Sequence, residues 1–405
     1  MNIAYFTCYV GPQLAKACGV EYKPVSGTIK SQGVARSLMA AGNNVTIFSP
    51  GVNYGHKIIK PFDEYITFPE GTLKVSYPYI YSYPRCTPLN NASLWFHIKK
   101  MARKERFDAF IYYNICDNSY LGSYIYLNLF KKAFRILEYE DSIFMKSLEG
   151  EKARFSWLTN RIYNYLIKRT DGLFAVCKGM YEEEPVKYKL LTPGIINEEV
   201  VDNVKVGCQH SLQPENPVRV FLSGGGEYYK GTDVLVKAFQ YVKHPCLLEV
   251  FTSKDYFYSI ASGEIKNIKP IHQVVIHDYI PHADLIKTLV DNADILVNTT
   301  RSFGLAPQSA GFPSKMMEYA AIGKPIVSSE IGKLNDDFDQ HVTYYEGANP
   351  ESLARCIDEV IENYPQKMAH ALDLQQIALT QYTIKGTAIK MGAFFNEIQN
   401  NGKFR

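Results

Sequence analysis

The sequence has none of the patterns that mark a membrane span, a zinc cluster or a common nucleotide-hydrolysing loop. No apolar run reaches the ~20 residues needed to cross a bilayer. The 8 cysteines are scattered without a C-x-x-C pair, which disfavours a zinc cluster and favours buried, reduced thiols. No Walker A or G-x-G-x-x-G motif occurs, so ATPase and dehydrogenase activities lose support. No D-x-D motif stands at a plausible strand end, and we expect neither a metal nor a cofactor.

The sequence also has only a small excess of positive over negative charge. The formal net charge is +3 over 405 residues, which argues against nucleic acid as a partner. Hydrophobic content of 46% and charged content of 21% are typical of a globular protein, and the length favours two domains. The first residues, MNIAYFTCYVG, lack the basic start and the cleavage site of a signal peptide and predict a buried strand. We therefore expect a cytoplasmic protein, or one at the cytoplasmic face of a membrane.

Short apolar runs alternate with helical patterns along the first half of the chain. The predicted strands lie at 2–9, 45–51, 107–114, 133–140 and 172–178. Helical patterns fit between them at 32–43, 119–133 and 156–170. Strands separated by helices at this spacing indicate βαβ units and a parallel sheet.

The second half repeats this alternation after a polar, weakly periodic segment at 198–217, where we place the linker. The fold class predicted is therefore α/β, with two facing Rossmann-like domains and a ligand in the cleft between them. The expected N-terminal domain covers 1–205 and the C-terminal domain 215–383. An amphipathic helix at 384–405 is expected to cross back to the first domain.

A glycine-rich turn, FLSGGGEYYKG (221–231), follows a predicted strand and opens a helix. Glycines allow backbone amides to approach an anion, and a helix N-terminus adds positive potential. Lys230 then stands where a diphosphate would lie. The alternative is an ordinary tight turn with a surface lysine, since glycine-rich turns are common.

A second motif, SFGLAPQSAGFPSKMMEYAAIGKPIVSS (302–329), contains a loop that ends in Pro-Ser-Lys and begins a helix. Ser314 is predicted to cap that helix and to leave amides free in its first turn, beside Lys315. Glu318 follows one turn later, and its carboxylate can accept two hydrogen bonds from a ribose diol. The alternative is a glutamate that only complements the helix dipole.

Together these motifs resemble the C-terminal domain of family 4 glycosyltransferases of the GT-B fold. The likeness rests on a strand, glycine loop and KG-x-D-x-L-x-x-A, followed about eighty residues later by PSK-x-x-EY-x-x-x-GKPIV. The resemblance implies that Lys230 contacts the donor diphosphate, that Glu318 holds the ribose, and that the sugar is transferred with retention. The donor-binding residues it implies are Gly27, Gly224, Gly225, Gly226, Gly311, Phe312, Ser314, Lys315 and Met316. In the N-terminal half, SGTIKSQGVARSLMAAGNNVTIFS is similar to the family's glycine loop, helix and strand, with Gly27 at the loop.

The sequence departs from the family pattern at three places. Ala310 stands where the first glutamate of the E-x7-E pair is expected, so the resemblance implies nothing about the sugar. Gly225 replaces an arginine that often precedes the lysine, and Lys315 is our candidate for the missing charge. After the strand at 107–114 the family often has a histidine. Here the candidates are Asn114, Asp117 and Asn118.

Several other features carry weaker signals. Glu138, Glu140 and Asp141 stand at a predicted strand end, where they face either an acceptor or a metal. The histidines lack ligand spacing and are expected at the surface or as satisfied core residues; these are His97, His244, His272, His277 and His282. Aromatic and basic residues mix at 94–106 and 157–169. Solvated helix faces explain this mixture, and a membrane-surface patch is the alternative.

The function predicted is transfer of a sugar from a nucleoside diphosphate sugar to a hydroxyl acceptor. The expected acceptor is a growing bacterial-type surface glycan or a lipid-linked saccharide, reached by peripheral contact with a membrane. Two alternatives stay open. One is a nucleotide-sugar epimerase on the same fold. The other is a catalytically silent GT-B subunit that partners another glycosyltransferase. Ala310 and the missing histidine support this second hypothesis.

Overall fold

A computed structural model describes residues 1–22, 26–51, 57–83, 86–114, 127–128, 132–140, 161, 164–224, 228–301 and 311–401. The chain divides into two compact units. The first comprises Met1–Val176, Met180–Ile195 and Ile384–Arg405, and the second comprises Cys177–Gly179 and Ile196–Thr383.

The first unit is built on a parallel sheet with one antiparallel edge strand. Its strands are β1 (Asn2–Phe6), β2 (Asn44–Phe48), β4 (Phe62–Phe68), β5 (Gly71–Tyr77), β7 (Ala109–Tyr113), β8 (Phe134–Tyr139), β9 (Gly172–Ala175) and β10 (Tyr188–Leu191), with β3 (Ile58–Ile59) and β6 (Ile80–Tyr81) as a separate pair. The strand order in the sheet is β10-β9-β8-β7-β1-β2-β5-β4. Only the edge strand β4 pairs antiparallel within that sheet.

Helices cover the faces of this sheet, and the last helix of the chain is one of them. They are α1 (Pro12–Cys18), α2 (Ser26–Ala40), α3 (Thr87–Met101), α4 (Lys178–Glu183), whose first residues belong to the second unit, and α13 (Ile384–Asn401). Helix α13 packs on α2, and its Phe394 and Phe395 rings lie 5.1 and 6.3 Å from the Phe174 ring of β9. Four consecutive residues of β1 are buried, as expected for a strand covered on both faces.

The second unit contains a six-stranded, fully parallel sheet in the order β13-β12-β11-β14-β15-β16. Its strands are β11 (Val218–Ser223), β12 (Cys246–Phe251), β13 (Gln273–His277), β14 (Ile295–Asn298), β15 (Ile326–Ser329) and β16 (Thr343–Tyr345). Its helices are α5 (Glu198–Asn203), α6 (Thr232–Ala238), α7 (Lys254–Ile265), α8 (His282–Asn292), α9 (Lys315–Ile322), α10 (Asp336–Asp339), α11 (Pro350–Glu362) and α12 (Tyr364–Gln381).

The predicted α/β class, with parallel sheets and alternating helices, is confirmed. The segment 198–217, taken from its composition as a linker, contains α5 and lies within the Ile196–Thr383 part of the second unit. Asn197 accounts for that helix, because its side chain accepts a hydrogen bond from the Val200 amide and caps the first turn. The predicted helix at 119–133 and most of that at 156–170 lie outside the described residues.

Across the described ranges, no helix combines the length and the apolar character needed to cross a bilayer.

Candidate functional site

The candidate site lies in the second unit, at the carboxyl ends of β11 and β14. These two strands are neighbours in the sheet although they are far apart in the chain. The strand order runs outward in opposite directions on their two sides, which makes this a topological switch point. Open parallel sheets bind ligands at such a point, because loops leaving the two strands diverge and open a crevice.

The glycine-rich turn begins at the end of β11 with Gly224, whose φ is 136°. Its counterparts Gly225 and Gly226 lie outside the described residues. A short 3-10 turn, Tyr228–Lys230, precedes Gly231, which caps α6 with a φ of 70°. A Cβ atom at Gly231 would lie 2.0 Å from the Thr299 carbonyl oxygen. Glycine is therefore required for the backbone after Lys230 to pass against the end of β14.

The segment after β14 holds the lysine turn in place. The Thr299 hydroxyl donates to the Lys230 carbonyl oxygen at 2.6 Å, and the Arg301 amide donates to the Tyr229 carbonyl oxygen at 2.8 Å. The Arg301 guanidinium in turn contacts both oxygens of Asp233 at 2.7 and 2.8 Å. Sequence reasoning missed Thr299 and Arg301 because nothing in the local pattern shows that this loop adjoins the turn.

The prediction that Ser314 caps the following helix with its side chain is wrong. Ser314 already has helical angles, φ −53° and ψ −33°, and makes no capping hydrogen bond through its side chain. The Met316 and Met317 amides donate to the Pro313 and Ser314 carbonyl oxygens at 2.9 and 3.0 Å. Among the described residues, the Ser314 and Lys315 amides have no acceptor, so the N-terminus of α9 presents two free donors.

Lys315 extends from the start of α9 to the end of β11. Its ammonium donates to the Ser223 carbonyl oxygen at 3.2 Å and lies 3.8 Å from the position that a Cβ at Gly224 would occupy. Burial, and then the nearby charge of Lys230, lower the pKa of Lys315 to about 7. Two lysines predicted from separate motifs, Lys230 and Lys315, therefore act on one another at the same strand end.

This arrangement predicts a pH dependence of anion binding. Lys315 is cationic below its pKa of about 7 and neutral above it, so the affinity for a nucleoside diphosphate should fall as pH rises through that value. Isothermal titration calorimetry with uridine diphosphate between pH ~6.5 and ~8 measures this affinity. The range begins above pH ~6 because the terminal phosphate itself titrates near that value. A Lys315→Met variant should bind more weakly and lose the Lys315 component of the pH dependence. An identical profile in parent and variant would refute the assignment.

Glu318 lies one turn into α9, and its carboxylate contacts a histidine that no sequence motif had singled out. His282 Nε2 is 3.1 Å from Glu318 Oε1, and His282 Nδ1 is 3.1 Å from Glu199 Oε2. These two hydrogen bonds and charges raise the pKa of His282 to about 9, with Glu318 the larger cause. His282 is part-buried and both of its ring nitrogens have partners, as expected of a satisfied histidine, but its position beside Glu318 was not predicted.

Tyr319 fixes the position of α9 against β11. Its hydroxyl is 3.0 Å from both the amide nitrogen and the hydroxyl oxygen of Ser223, and the side chain is fully buried. Burial raises the pKa of Tyr319 to about 12, so its hydroxyl stays neutral and hydrogen-bonds to Ser223. This contact places Glu318 and Lys315 beside the glycine turn.

The other residues predicted to bind the sugar donor lie in different environments. Gly311 is buried with a φ of 129°, and the Phe312 ring lies 5.9 Å from the Phe338 ring. Met316 is fully buried, and its amide is already bonded, so it contributes core packing. Gly27, expected in a loop, is instead helical in the first turn of α2, in the first unit, and a Cβ there would meet nothing within 4 Å.

The acidic strand end in the first unit forms a buried network. Lys30 Nζ is 3.1 Å from Glu140 Oε1, and the Tyr113 hydroxyl donates to Glu140 Oε2 at 3.0 Å. Glu138 is fully buried beside Tyr5, and burial together with the Glu140 charge raises the pKa of Glu138. Asp141, Asp117 and Asn118 lie outside the described residues, as does Ala310. Asn114 closes this network with a left-handed φ of 52° and accepts from the Glu140 amide at 2.8 Å.

The metal hypothesis for this strand end has no geometric support in the part of the chain that is described. No group of three or more His, Cys, Asp or Glu side chains there is arranged to hold an ion.

Comparison with known proteins confirms the resemblance. Residues 209–375 match the family described as glycosyl transferases group 1. A comparison with curated protein sequences found no match.

Similar solved structures cover almost the entire chain. Sucrose-phosphate synthase from Thermosynechococcus elongatus is 14% identical, with a TM-score of 0.68 and 99% of each chain covered. A trehalose-6-phosphate synthase from E. coli bound with UDP-2-fluoro glucose is 11% identical, with a TM-score of 0.64 and coverage of 98% of this chain and 99% of the other. The lipopolysaccharide outer core galactosyltransferase WaaB is 12% identical, with the same coverage and a TM-score of 0.64.

These matches define the class of protein. The chain has the GT-B fold, and its similarity to group 1 glycosyl transferases covers residues 209–375, which include the lysine turn, α8 and α9.

Proposed function

We propose that this protein is a glycosyltransferase that uses a nucleoside diphosphate sugar as donor and a hydroxyl group as acceptor. The observation that carries the proposal is the convergence of Lys230, Lys315 and the free amides of α9 at the carboxyl end of β11. Two cations and a helix N-terminus at one switch point form a site for a diphosphate. Glu318, one turn further along α9, supplies the carboxylate for a ribose.

The chemistry follows from where negative charge develops. When the bond between the sugar and the diphosphate breaks, charge accumulates on the β-phosphate that leaves. We propose that Lys230, Lys315 and the amides at Ser314 and Lys315 stabilise that charge more strongly in the transition state than in the bound donor. We propose that no divalent metal is needed, that the anomeric configuration is retained, and that the leaving phosphate accepts the acceptor proton.

We propose uridine diphosphate as the nucleotide carrier, because the E. coli trehalose-6-phosphate synthase structure contains UDP-2-fluoro glucose. A thermal-shift screen of the four common nucleoside diphosphates tests this choice. Turnover of UDP-sugars is then measured with and without excess chelator. Binding of no nucleoside diphosphate would overturn the proposal, and activity that disappears with chelator and returns with manganese would overturn metal independence.

Replacing Glu318 by glutamine tests the ribose contact. The amide keeps the size of the side chain but replaces one acceptor oxygen with a donor group and removes the charge. We expect the variant to bind uridine diphosphate about ten-fold more weakly, and to bind the 2′,3′-dideoxy analogue almost as well as the parent does. Calorimetry with both ligands gives the ratio. Equal losses for the two ligands would mean that Glu318 only supports α9.

We propose further that the acceptor is a bacterial-type surface glycan or a lipid-linked saccharide, and that the protein reaches it at a membrane surface. The similarity to WaaB, a lipopolysaccharide galactosyltransferase, motivates the acceptor class. Helix α3 supplies the surface: Trp95 and Phe96 are 42% and 67% exposed, with ring centroids 6.2 Å apart. Exposed basic residues follow at Lys100, Arg103 and Lys104.

This surface predicts reversible attachment to anionic bilayers. Each basic side chain near an anionic leaflet contributes about 1 kcal/mol, and exposed aromatic rings insert at the headgroup level. The parent should co-sediment with phosphatidylglycerol vesicles at low salt and dissociate as salt rises. A Trp95→Ala/Phe96→Ala variant should bind about ten-fold less, whereas Tyr65→Ala, an exposed aromatic of β4 in the same unit, should bind like the parent. A parent that stays in the supernatant at low salt would refute membrane docking.

A further inference from the structure

His282 joins three helices of the second unit through its side chain. It lies at the first position of α8 and contacts Glu318 of α9 and Glu199 of α5, each at 3.1 Å. The three helices pack on one another. The partners are 36 and 83 residues away in the chain, so the contacts are set by tertiary packing.

The geometry requires a protonated ring. Each imidazole nitrogen faces a carboxylate oxygen, and a carboxylate can only accept a hydrogen bond. A neutral imidazole would satisfy one carboxylate and turn a lone pair toward the other. Glu199 and Glu318 are the charged groups that act on the ring from the two helices packed against α8, and both favour the cation. At neutral pH the arrangement is therefore carboxylate, imidazolium, carboxylate.

This contact restrains Glu318 while leaving it accessible. Its side chain is 29% exposed, and His282 engages only Oε1. Within the described residues, no other hydrogen bond involves the Glu318 carboxylate, so Oε2 remains as an acceptor. Glu199 holds the opposite side of the imidazole and thereby orients the ring. A glutamate side chain otherwise loses rotamer entropy when it captures a ligand, and a partner that has already fixed it lowers that cost.

We propose that His282 is a positioning residue for the nucleotide ribose: held by Glu199, it fixes Glu318 so that Oε2 accepts a hydrogen bond from a ribose hydroxyl. The inference rests on the proposed function, because it concerns the same donor site. It predicts that His282 controls discrimination between ribose and its deoxygenated analogue, a property that a helix-joining ion pair without a ligand role would leave unchanged.

The experiment compares uridine diphosphate with 2′,3′-dideoxyuridine diphosphate by calorimetry on the full chain, at pH about 7 and about 10, on either side of the His282 pKa of about 9. At the lower pH, His282→Ala should bind the ribonucleotide about ten-fold more weakly and the dideoxy analogue almost unchanged. His282→Gln, which retains a neutral N–H donor, should fall between alanine and the parent. At the higher pH the neutral imidazole keeps one N–H donor, so the parent should lose part of its discrimination and approach His282→Gln, whereas His282→Ala should show no such change. Because base and phosphate ionisation affect both ligands, the ratio isolates the ribose contact.

His244→Ala is the matched control, because His244 also pairs with a glutamate, Glu362, at 3.4 Å, on the same unit. It should leave both affinities at the parent values. Equal losses for both ligands in His282→Ala, or unchanged ribose discrimination in a folded His282→Gln, would overturn the positioning role while leaving donor binding intact. A parent that binds neither ligand would instead overturn the proposed function, and the positioning role with it.

Discussion

Replacing Lys230 by alanine should weaken uridine diphosphate binding by about ten- to a hundred-fold, since a charge-assisted contact to phosphate is worth roughly 1.5–3 kcal/mol. The backbone that places Lys230 does not depend on its side chain: Thr299 bonds its carbonyl oxygen, and Gly231 shapes the turn. The ammonium lies 4.6 Å from the centre of the Tyr229 ring, and the substitution removes this cation–π contact. The melting temperature should therefore change little.

A second effect of this substitution tests whether Lys230 and Lys315 lie at one site. Repulsion from Lys230 helps lower the pKa of Lys315, so the variant should shift the Lys315 transition to higher pH. Lys237→Ala is the control, because that lysine stands on α6 and pairs with Asp233 and Glu264. Calorimetry across pH on the three proteins decides the question. Parent-like affinity in Lys230→Ala would show that the diphosphate lies elsewhere.

Replacing Gly231 by alanine should be among the most disruptive single changes in the second unit. The left-handed backbone costs a non-glycine residue roughly 1–2 kcal/mol, and overpacking costs roughly 1–3 kcal/mol more. The atom that a Cβ would meet at 2.0 Å is the Thr299 backbone carbonyl, which no rotamer change can move. The turn must then shift away from β14, carrying Lys230 with it, so both stability and donor affinity should fall.

Gly347→Ala separates the effect of the left-handed backbone from the effect of the steric overlap. Gly347 also has a left-handed φ, 58°, but a Cβ there would meet nothing within 4 Å. This variant should be destabilised only by the left-handed backbone, and it should bind uridine diphosphate as tightly as the parent does. Thermal or urea unfolding, followed by calorimetry with uridine diphosphate, tests both variants. Equal stability in the two variants, with parent-like binding in Gly231→Ala, would contradict the close approach seen between the lysine turn and Thr299.

Much of the candidate site could be predicted because its residues stand in short, contiguous motifs. Three glycines and a lysine between a strand and a helix predict a tight turn that places the lysine at the start of the helix. A proline followed by a helical pattern likewise places Lys315 and Glu318 in the first turn of a helix. The alternation of apolar runs similarly determines parallel sheets, since strands buried on both faces need helical crossovers. Ser314 shows the limit of predictions from local sequence: its residue type favours a cap, but Ser314 itself has helical angles and makes no capping hydrogen bond through its side chain.

The amino-acid sequence by itself thus determined the α/β class and the chemical groups of the candidate site: the glycine turn, Lys230, Lys315 and Glu318. Tertiary structure alone decided which groups meet. Thr299 and Arg301 support the lysine turn because β14 is the sheet neighbour of β11, and His282 meets Glu318 because α8, α9 and α5 pack together. The physical reason is that periodicity and propensity act over a few residues. Strand order and helix packing bring together residues that lie 36 to 83 positions apart, and no local pattern encodes that choice.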